Sequence, residues 1–133
     1  MIVYQSSAIE FRESVDNNKI IFDIENKFME KFGRKVSESE RTSWNNSLKF
    51  MESIVRNSRV SDDCGVLIEY GIPSTSKRID FIISGHSQED EANFVIIELK
   101  QWSKARATQK ETIVKSFVGG NERELTHPSY QAL

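Results

Sequence analysis

Residues 65–101 read GVLIEYGIPSTSKRIDFIISGHSQEDEANFVIIELKQ, and this stretch decides the fold class. It contains three apolar runs bounded by turn residues: Gly65–Tyr70, ended near Pro73, Lys77–Ser84, ended by Gly85, and Phe94–Gln101. Each run is rich in β-branched residues, which pack well on a pleated surface. The stretch therefore predicts three strands in a mostly antiparallel sheet.

Helical periodicity precedes these strands. Residues 6–33 predict one or two helices, with Gly33 placed to end the run. The apolar residues of this run recur every four positions: Ile20, Ile24, Phe28 and Phe32. A further helix is predicted from Ser37, because Ser37 and Glu40 have the spacing of a capping box. Its apolar stripe consists of Trp44, Leu48, Met51 and Val55, and it closes at Asn57 and Ser58.

The residues after Trp102 predict a polar, basic loop, a hairpin and a helix start. Thr112–Val118 and Glu122–Thr126 flank Gly119-Gly120, as expected of two strands joined by a tight turn. His127-Pro128-Ser129-Tyr130 resembles a helix start with proline in the first turn. That helix has few residues before Leu133, so we expect that the fold either lacks its finishing elements or obtains them from another chain.

These elements predict an α+β fold of the sandwich type. We expect residues 1–34 to form an N-terminal helical extension and residues 35–133 to form a C-terminally incomplete core. The core would comprise a helix, the three-stranded sheet, the extra hairpin and the start of a further helix. A length of 133 residues suits a single domain.

The overall charge does not by itself indicate a nucleic-acid binder, since the net charge is -2 and the pI is about 5.7. Residues 100–115 are nevertheless locally basic. Cys64 is the only cysteine and the N-terminus lacks the pattern of a signal peptide, so we expect a cytoplasmic protein. The mean hydropathy of -0.50 argues against a membrane partner.

Three charges interrupt runs that otherwise predict buried strands: Asp80, Glu98 and Lys100. Charges buried without partners are costly, so they need an explanation. A symmetric loop over residues 85–93 would pair Ser84 with Phe94 and set Asp80 opposite Glu98. Like charges opposed across strands repel, and a hard divalent cation would satisfy both carboxylates. Lys100, two residues after Glu98, would share its face of the strand.

This pattern resembles the PD-(D/E)xK nuclease superfamily, with Asp80 in the second strand and Glu98-Leu99-Lys100 in the third. The resemblance implies that Asp80, Glu98 and the Leu99 carbonyl bind Mg²⁺ or Mn²⁺, and that Lys100 assists the attacking water. It also implies a further acid from the first strand or the preceding helix. Glu69 and Glu40 are the two candidates.

A closer resemblance is to the N-terminal, nuclease-like region of bacterial schlafen-related, helicase-like ATPases. It is carried by SESERTSWNNSL, IEYGIPSTSKRIDFIISG, VIIELKQW and HPSYQA. It implies a nucleic-acid partner, a defence or repair role, and a helicase-like ATPase as protein partner. We expect DNA rather than RNA, and a second copy of the chain is the alternative protein partner. No phosphate loop of the G-x-x-x-x-G-K-[ST] type occurs in this sequence. Tyr130 and Gln131 stand where the superfamily's later helix often contributes to the site.

Simpler interpretations stay open for several of these residues. The capping box explains Glu40, partial exposure at a strand end explains Glu69, and Arg78 could bind phosphate or pair with an acid. Lys104 and Arg106 could contact phosphate or lie in a solvated loop. Two other functions also remain: a non-catalytic module that binds nucleic acid or protein, and a folding fragment without separate activity.

Overall fold

The computed structural model describes residues 2–131, which form four helices and two antiparallel sheets. This mixture confirms the α+β class. The chain divides into two compact units, the first ending at Ile97 and the second beginning at Glu98. The predicted boundary after residue 34 does not coincide with this division.

The first unit contains three helices and a four-stranded sheet of order β1-β2-β3-β4. Its elements are β1 (Ile2–Ser7), α1 (Ala8–Asp16), α2 (Ile20–Phe32), α3 (Glu38–Asn57), β2 (Gly65–Gly71), β3 (Arg78–His86) and β4 (Ala92–Ile97). All neighbouring strands are antiparallel, and Ser84 pairs with Phe94 as predicted. The third strand was predicted to continue to Gln101, but β4 ends at Ile97. Glu, Lys and Gln favour strands less than the β-branched residues before them.

The extreme N-terminal segment corrects the expectation of a purely helical extension. Ile2–Ser7 is a strand that pairs with β2, from Ile2↔Tyr70 to Ser7↔Gly65. The helix starts only at Ala8, where Ser7 forms a capping box with Glu10. Residues 1–34 therefore contribute an edge strand to the same sheet that carries Asp80, and sequence periodicity cannot reveal this long-range pairing.

The predicted stripe of α3 is confirmed, whereas that of α2 is confirmed at Ile20, Ile24 and Phe28 but not at the exposed Phe32. Gly33 ends α2 in the left-handed conformation, at φ 64°, which glycine adopts without a steric penalty. Ser37 and Glu40 form both halves of the capping box of α3. The core residues of α3 are those of the predicted stripe: Trp44, Leu48, Met51 and Val55. Phe11 of α1 meets Phe81 of β3 edge to face, at 5.4 Å between ring centroids, and this contact joins the helices to the sheet.

The second unit is a three-stranded sheet of order β5-β6-β7 followed by a short helix. Its elements are β5 (Ala105–Ala107), β6 (Ile113–Val118), β7 (Asn121–Thr126) and α4 (Pro128–Gln131). The predicted hairpin is confirmed, with Gly119 at φ 61° and Gly120 at φ 86°, as a two-residue turn of this hand requires. The segment predicted as a loop contains β5, which lies beside β6 where Ser116 Oγ donates to the Lys104 carbonyl at 2.7 Å.

Candidate functional site

Glu69 and Asp80 occupy the same position on neighbouring strands. The pairs Ile68↔Phe81 and Tyr70↔Ile79 flank them in the ladder between β2 and β3. Two carboxylates placed opposite each other across strands repel unless a positive charge compensates them. The first unit thus gathers two of the acids that the sequence singled out.

The backbone at Glu69 departs from strand geometry. Its φ is 55°, a left-handed conformation that is uncommon for a residue with a side chain. In a regular strand Ile68 and Glu69 would face opposite sides, yet both are buried, at 1% and 8% exposure. Such a conformation costs about 1–3 kcal/mol and is found mainly at functional sites.

Both carboxylate oxygens of Glu69 have partners. The indole Nε1 of Trp44 donates to Oε1 at 2.8 Å, and the Arg78 guanidinium lies 3.0 Å from Oε2. Trp44 lies in the N-terminal half of α3, and Arg78 is the first residue of β3. The carboxylate is therefore held between the helical layer and the sheet.

Burial is the largest influence on the Glu69 carboxyl and raises its pKa above the usual range for glutamate. The hydrogen bond from Trp44 and the charge of Arg78 lower the pKa, while the charges of Asp80 and Glu40 raise it further. The net direction is upward, because a nearly dry environment disfavours the ionised form. Perturbed carboxyl groups of this kind cluster at functional sites.

Glu40 caps α3 and also contacts Arg78. Its Oε2 accepts from the Ser37 backbone N–H at 3.1 Å, while its Oε1 lies 3.4 Å from the Arg78 guanidinium. Burial alone would raise the pKa of Glu40, but the Ser37 hydrogen bonds and Arg78 together lower it. Arg78 therefore bridges Glu40 on α3 and Glu69 on β2, and we call Glu40, Glu69, Arg78 and Asp80 the acid cluster.

Glu98 and Lys100 follow β4 instead of belonging to it. The last pair of the ladder between β3 and β4 is Phe81↔Ile97. The prediction that strand alternation places Glu98 and Lys100 on one face therefore does not apply, since both residues lie beyond the strand. The two side chains are nevertheless in contact: Lys100 Nζ donates to Glu98 Oε1 at 2.5 Å. Both side chains are partly buried, at 17% and 25% exposure for Glu98 and Lys100.

Within residues 2–131, no group of three or more His, Cys, Asp or Glu side chains is placed to hold a metal ion. The candidate donors are instead carboxylates with partners already in place: Trp44 and Arg78 for Glu69, and Lys100 for Glu98. Their oxygens are hard ligands of the type that Mg²⁺ takes, commonly one or two per ion with several waters.

Two cations of the basic stretch, Arg106 and Lys115, are paired with acids on β7. Arg106 lies 3.9 Å from Glu122, and Lys115 lies 3.8 Å from Glu124. Lys104 is exposed. The pairing with Glu122 weakens the case for Arg106 as a phosphate contact. The sequence alone does not show which acids of a neighbouring strand will lie beside these cations.

The C-terminal candidates lie on the short helix α4. Tyr130 contacts His127 edge to face at 6.5 Å, and Gln131 is the last described residue of the helix. Both belong to the second unit and are exposed.

Sequence reasoning missed the part played by Trp44, which it treated only as core. A buried indole N–H needs an acceptor. That requirement would have directed attention to an acceptor brought beside this tryptophan by folding, which is Glu69.

Comparisons with family models, with curated proteins and with solved structures give no match to this chain. Of the helices in the described part of the chain, none combines the length and apolarity needed to span a membrane.

Proposed function

We propose that this chain is a divalent-metal-dependent nuclease domain of the PD-(D/E)xK type, with a restriction-endonuclease-like core, which hydrolyses DNA or RNA phosphodiesters. One observation carries the proposal: Glu69 is buried in a strained, left-handed conformation and stands level with Asp80 on the neighbouring strand. A protein retains such a costly arrangement of like charges where function requires it.

Asp80, Glu98 and the Leu99 carbonyl would hold Mg²⁺ or Mn²⁺. When bound, the ion would polarise the scissile phosphate and lower the pKa of a coordinated water. The oxygen donors suit such an ion, and the upward shift in the pKa of Glu69 next to Asp80 supports a position that benefits from added positive charge.

The assignments of Glu98 and Leu99 rest on the resemblance of Glu98-Leu99-Lys100 to the Glu-x-Lys motif. Lys100 is assigned to orient the attacking water or to neutralise charge on the phosphate, and its contact with Glu98 supports a shared role.

A cleavage assay tests this proposal. Labelled single- and double-stranded DNA and RNA would be incubated with Mg²⁺ or Mn²⁺, and with a chelator as control. We expect Asp80→Asn and Lys100→Met each to reduce the rate by about 100-fold or more, as is common when a group that stabilises the transition state is removed. Asp90→Asn, in the exposed turn between β3 and β4, is the matched control and should keep full activity. Chelator-insensitive cleavage, or equal rates in Asp80→Asn and Asp90→Asn, would refute the assignment.

A second candidate is a non-catalytic, nuclease-like module that binds nucleic acid or a protein partner. It is favoured by the Arg78 guanidinium, which already lies beside Glu69 and Glu40 and supplies the compensating charge without a metal. Binding without cleavage in every metal condition, unchanged in Asp80→Asn, would favour this candidate.

We also propose a cytoplasmic setting and a role in defence or repair. The first rests on Cys64 as the only cysteine in the sequence, and the second on the resemblance described above.

A further inference from the structure

A groove of about 510 Å³ opens directly beside Glu69. It lies within the first unit, between the end of α2 and the turn that joins β2 to β3. Phe32 and Arg34 contribute from the helix end, and Lys77 and Arg78 contribute from the turn. Its size is within the range of roughly 300–1,000 Å³ that is usual for ligand sites.

The groove is positively charged although the whole chain is acidic. Its lining contains three cations, Arg34, Lys77 and Arg78, and a single carboxylate, that of Glu69. Arg78 is paired with that carboxylate, but in the described part of the chain neither Arg34 nor Lys77 forms a salt bridge. Two exposed cations without acidic partners are therefore available to an anionic ligand.

The turn that presents Lys77 is held by its own hydrogen bonds. The Ile72 N–H donates to the Lys77 carbonyl at 3.0 Å, and the Lys77 N–H donates to Thr75 Oγ1 at 3.1 Å. Ser74 and Ser76 line the same turn and are exposed. The turn thus offers hydroxyl groups next to a cation on a preformed backbone, a combination that suits phosphate oxygens.

An aromatic ring forms the opposite side of the groove. Phe32 is 41% exposed, and its ring lies 4.5 Å from that of the buried Phe28. The Arg34 guanidinium lies 4.8 Å from the Phe28 ring centroid, which holds this cation beside the aromatic pair. This side of the groove therefore carries an exposed aromatic ring that packs on the buried Phe28.

We propose that this groove binds a single strand of nucleic acid, with a base stacked on Phe32 and backbone phosphates contacted by Arg34 and Lys77. The inference rests on the proposed nuclease function and specifies its substrate. A ring at the wall of a groove can stack on a base only if that base is free of its own duplex neighbours. Glu69 lines the groove and also belongs to the acid cluster, so a bound strand would reach the acids directly.

The test is binding measured by fluorescence anisotropy with labelled single-stranded DNA and RNA oligonucleotides, in a chelator so that no cleavage occurs. We expect Phe32→Leu to weaken binding roughly tenfold, because loss of one stacked base has about that effect. Phe32→Tyr keeps an aromatic ring and should bind as tightly as the unchanged protein. Lys77→Ala should weaken binding and reduce the slope of log affinity against log salt by about 0.7, the value for one phosphate contact on a single strand.

Matched control substitutions are available in α2 and at its N-cap. Phe22→Leu changes an exposed phenylalanine outside the groove, and Lys19→Ala removes an exposed lysine at the start of α2. Both should bind as the unchanged protein does, and circular dichroism would check that every variant is folded.

Several outcomes would overturn the proposal: no binding by the unchanged protein, duplex bound as tightly as single strands, or equal effects in groove and control variants. The two proposals fail separately. If the protein cleaves nucleic acid and the groove variants bind as tightly as the unchanged protein, the proposed nuclease function stands and the proposed groove site is refuted. If binding depends on the groove residues but no metal supports cleavage, the groove site stands and the nuclease function is refuted.

Discussion

Opposing physical effects act on the pKa of the Glu69 carboxyl group. Burial disfavours its ionised form, and the neighbouring charges of Asp80 and Glu40 act in the same direction. Trp44 and Arg78 oppose them through contacts of 2.8 and 3.0 Å. Since burial prevails, the folded protein binds a proton at this carboxyl more readily than the unfolded chain does.

The sign of the resulting pH dependence follows from that shift. A carboxyl group with a raised pKa favours the folded state at a pH below the unfolded value near 4.5, and this contribution is lost as the pH rises through the folded value. We therefore expect Glu69→Gln, which keeps the shape and removes the titration, to gain stability relative to the unchanged protein as the pH rises from 4 to 8.

Urea denaturation of both proteins across this pH range measures the effect. The difference between the two proteins removes the contributions of Glu10 and Asp63, whose pKa values are lowered in both proteins and act in the opposite direction. A difference in unfolding free energy that is constant with pH would contradict the assigned shift.

At the scale of elements, the start of α3 links helix stability to the acid cluster. Ser37 Oγ accepts from the Glu40 N–H, and the Ser37 N–H donates to the Glu40 carboxylate. The same Glu40 reaches Arg78 on β3. A local capping motif therefore also positions an acid that the tertiary structure uses.

Removal of the cap should be measurable. We expect Ser37→Ala to lower the free energy of unfolding by about 1 kcal/mol, since it leaves an N–H group at the helix start without its acceptor. Ser37→Thr keeps a hydroxyl group and should lose much less. Urea denaturation monitored by tryptophan fluorescence would compare the two, and equal losses would mean that the cap contributes nothing specific.

At the scale of the whole molecule, the two units differ greatly in the core that they contain. Nearly all buried residues belong to the first unit, whereas Val114 and Ser116 are those buried in the second. Apolar burial supplies most of the stabilisation of a fold. The three-stranded sheet is therefore expected to open more easily than the four-stranded one.

Hydrogen exchange measures this difference. We expect amides of β2 and β3 to exchange more slowly, by orders of magnitude, than amides of β6 and β7, because local opening of the second unit exposes little apolar surface. Val114→Ala should accelerate exchange in β6 and β7 while leaving β2 unchanged. Uniform protection across both sheets would show instead that the units unfold together.

Local physical chemistry made much of this protein predictable from its residues. The apolar stripe of α3 and its cap, the glycine that ends α2 and the two-glycine turn between β6 and β7 each depend on neighbours a few residues away. The pairing of Ser84 with Phe94 also followed, because a short loop between two apolar runs determines how they align.

Only the tertiary structure decided the features that depend on distant partners. β1 becomes a strand because β2 is there to pair with it. The left-handed backbone of Glu69 and its hydrogen bond to Trp44 exist because α3 packs against this sheet. Local patterns determine which segments are helical or extended, whereas strand pairing and buried charge contacts depend on residues brought together by folding.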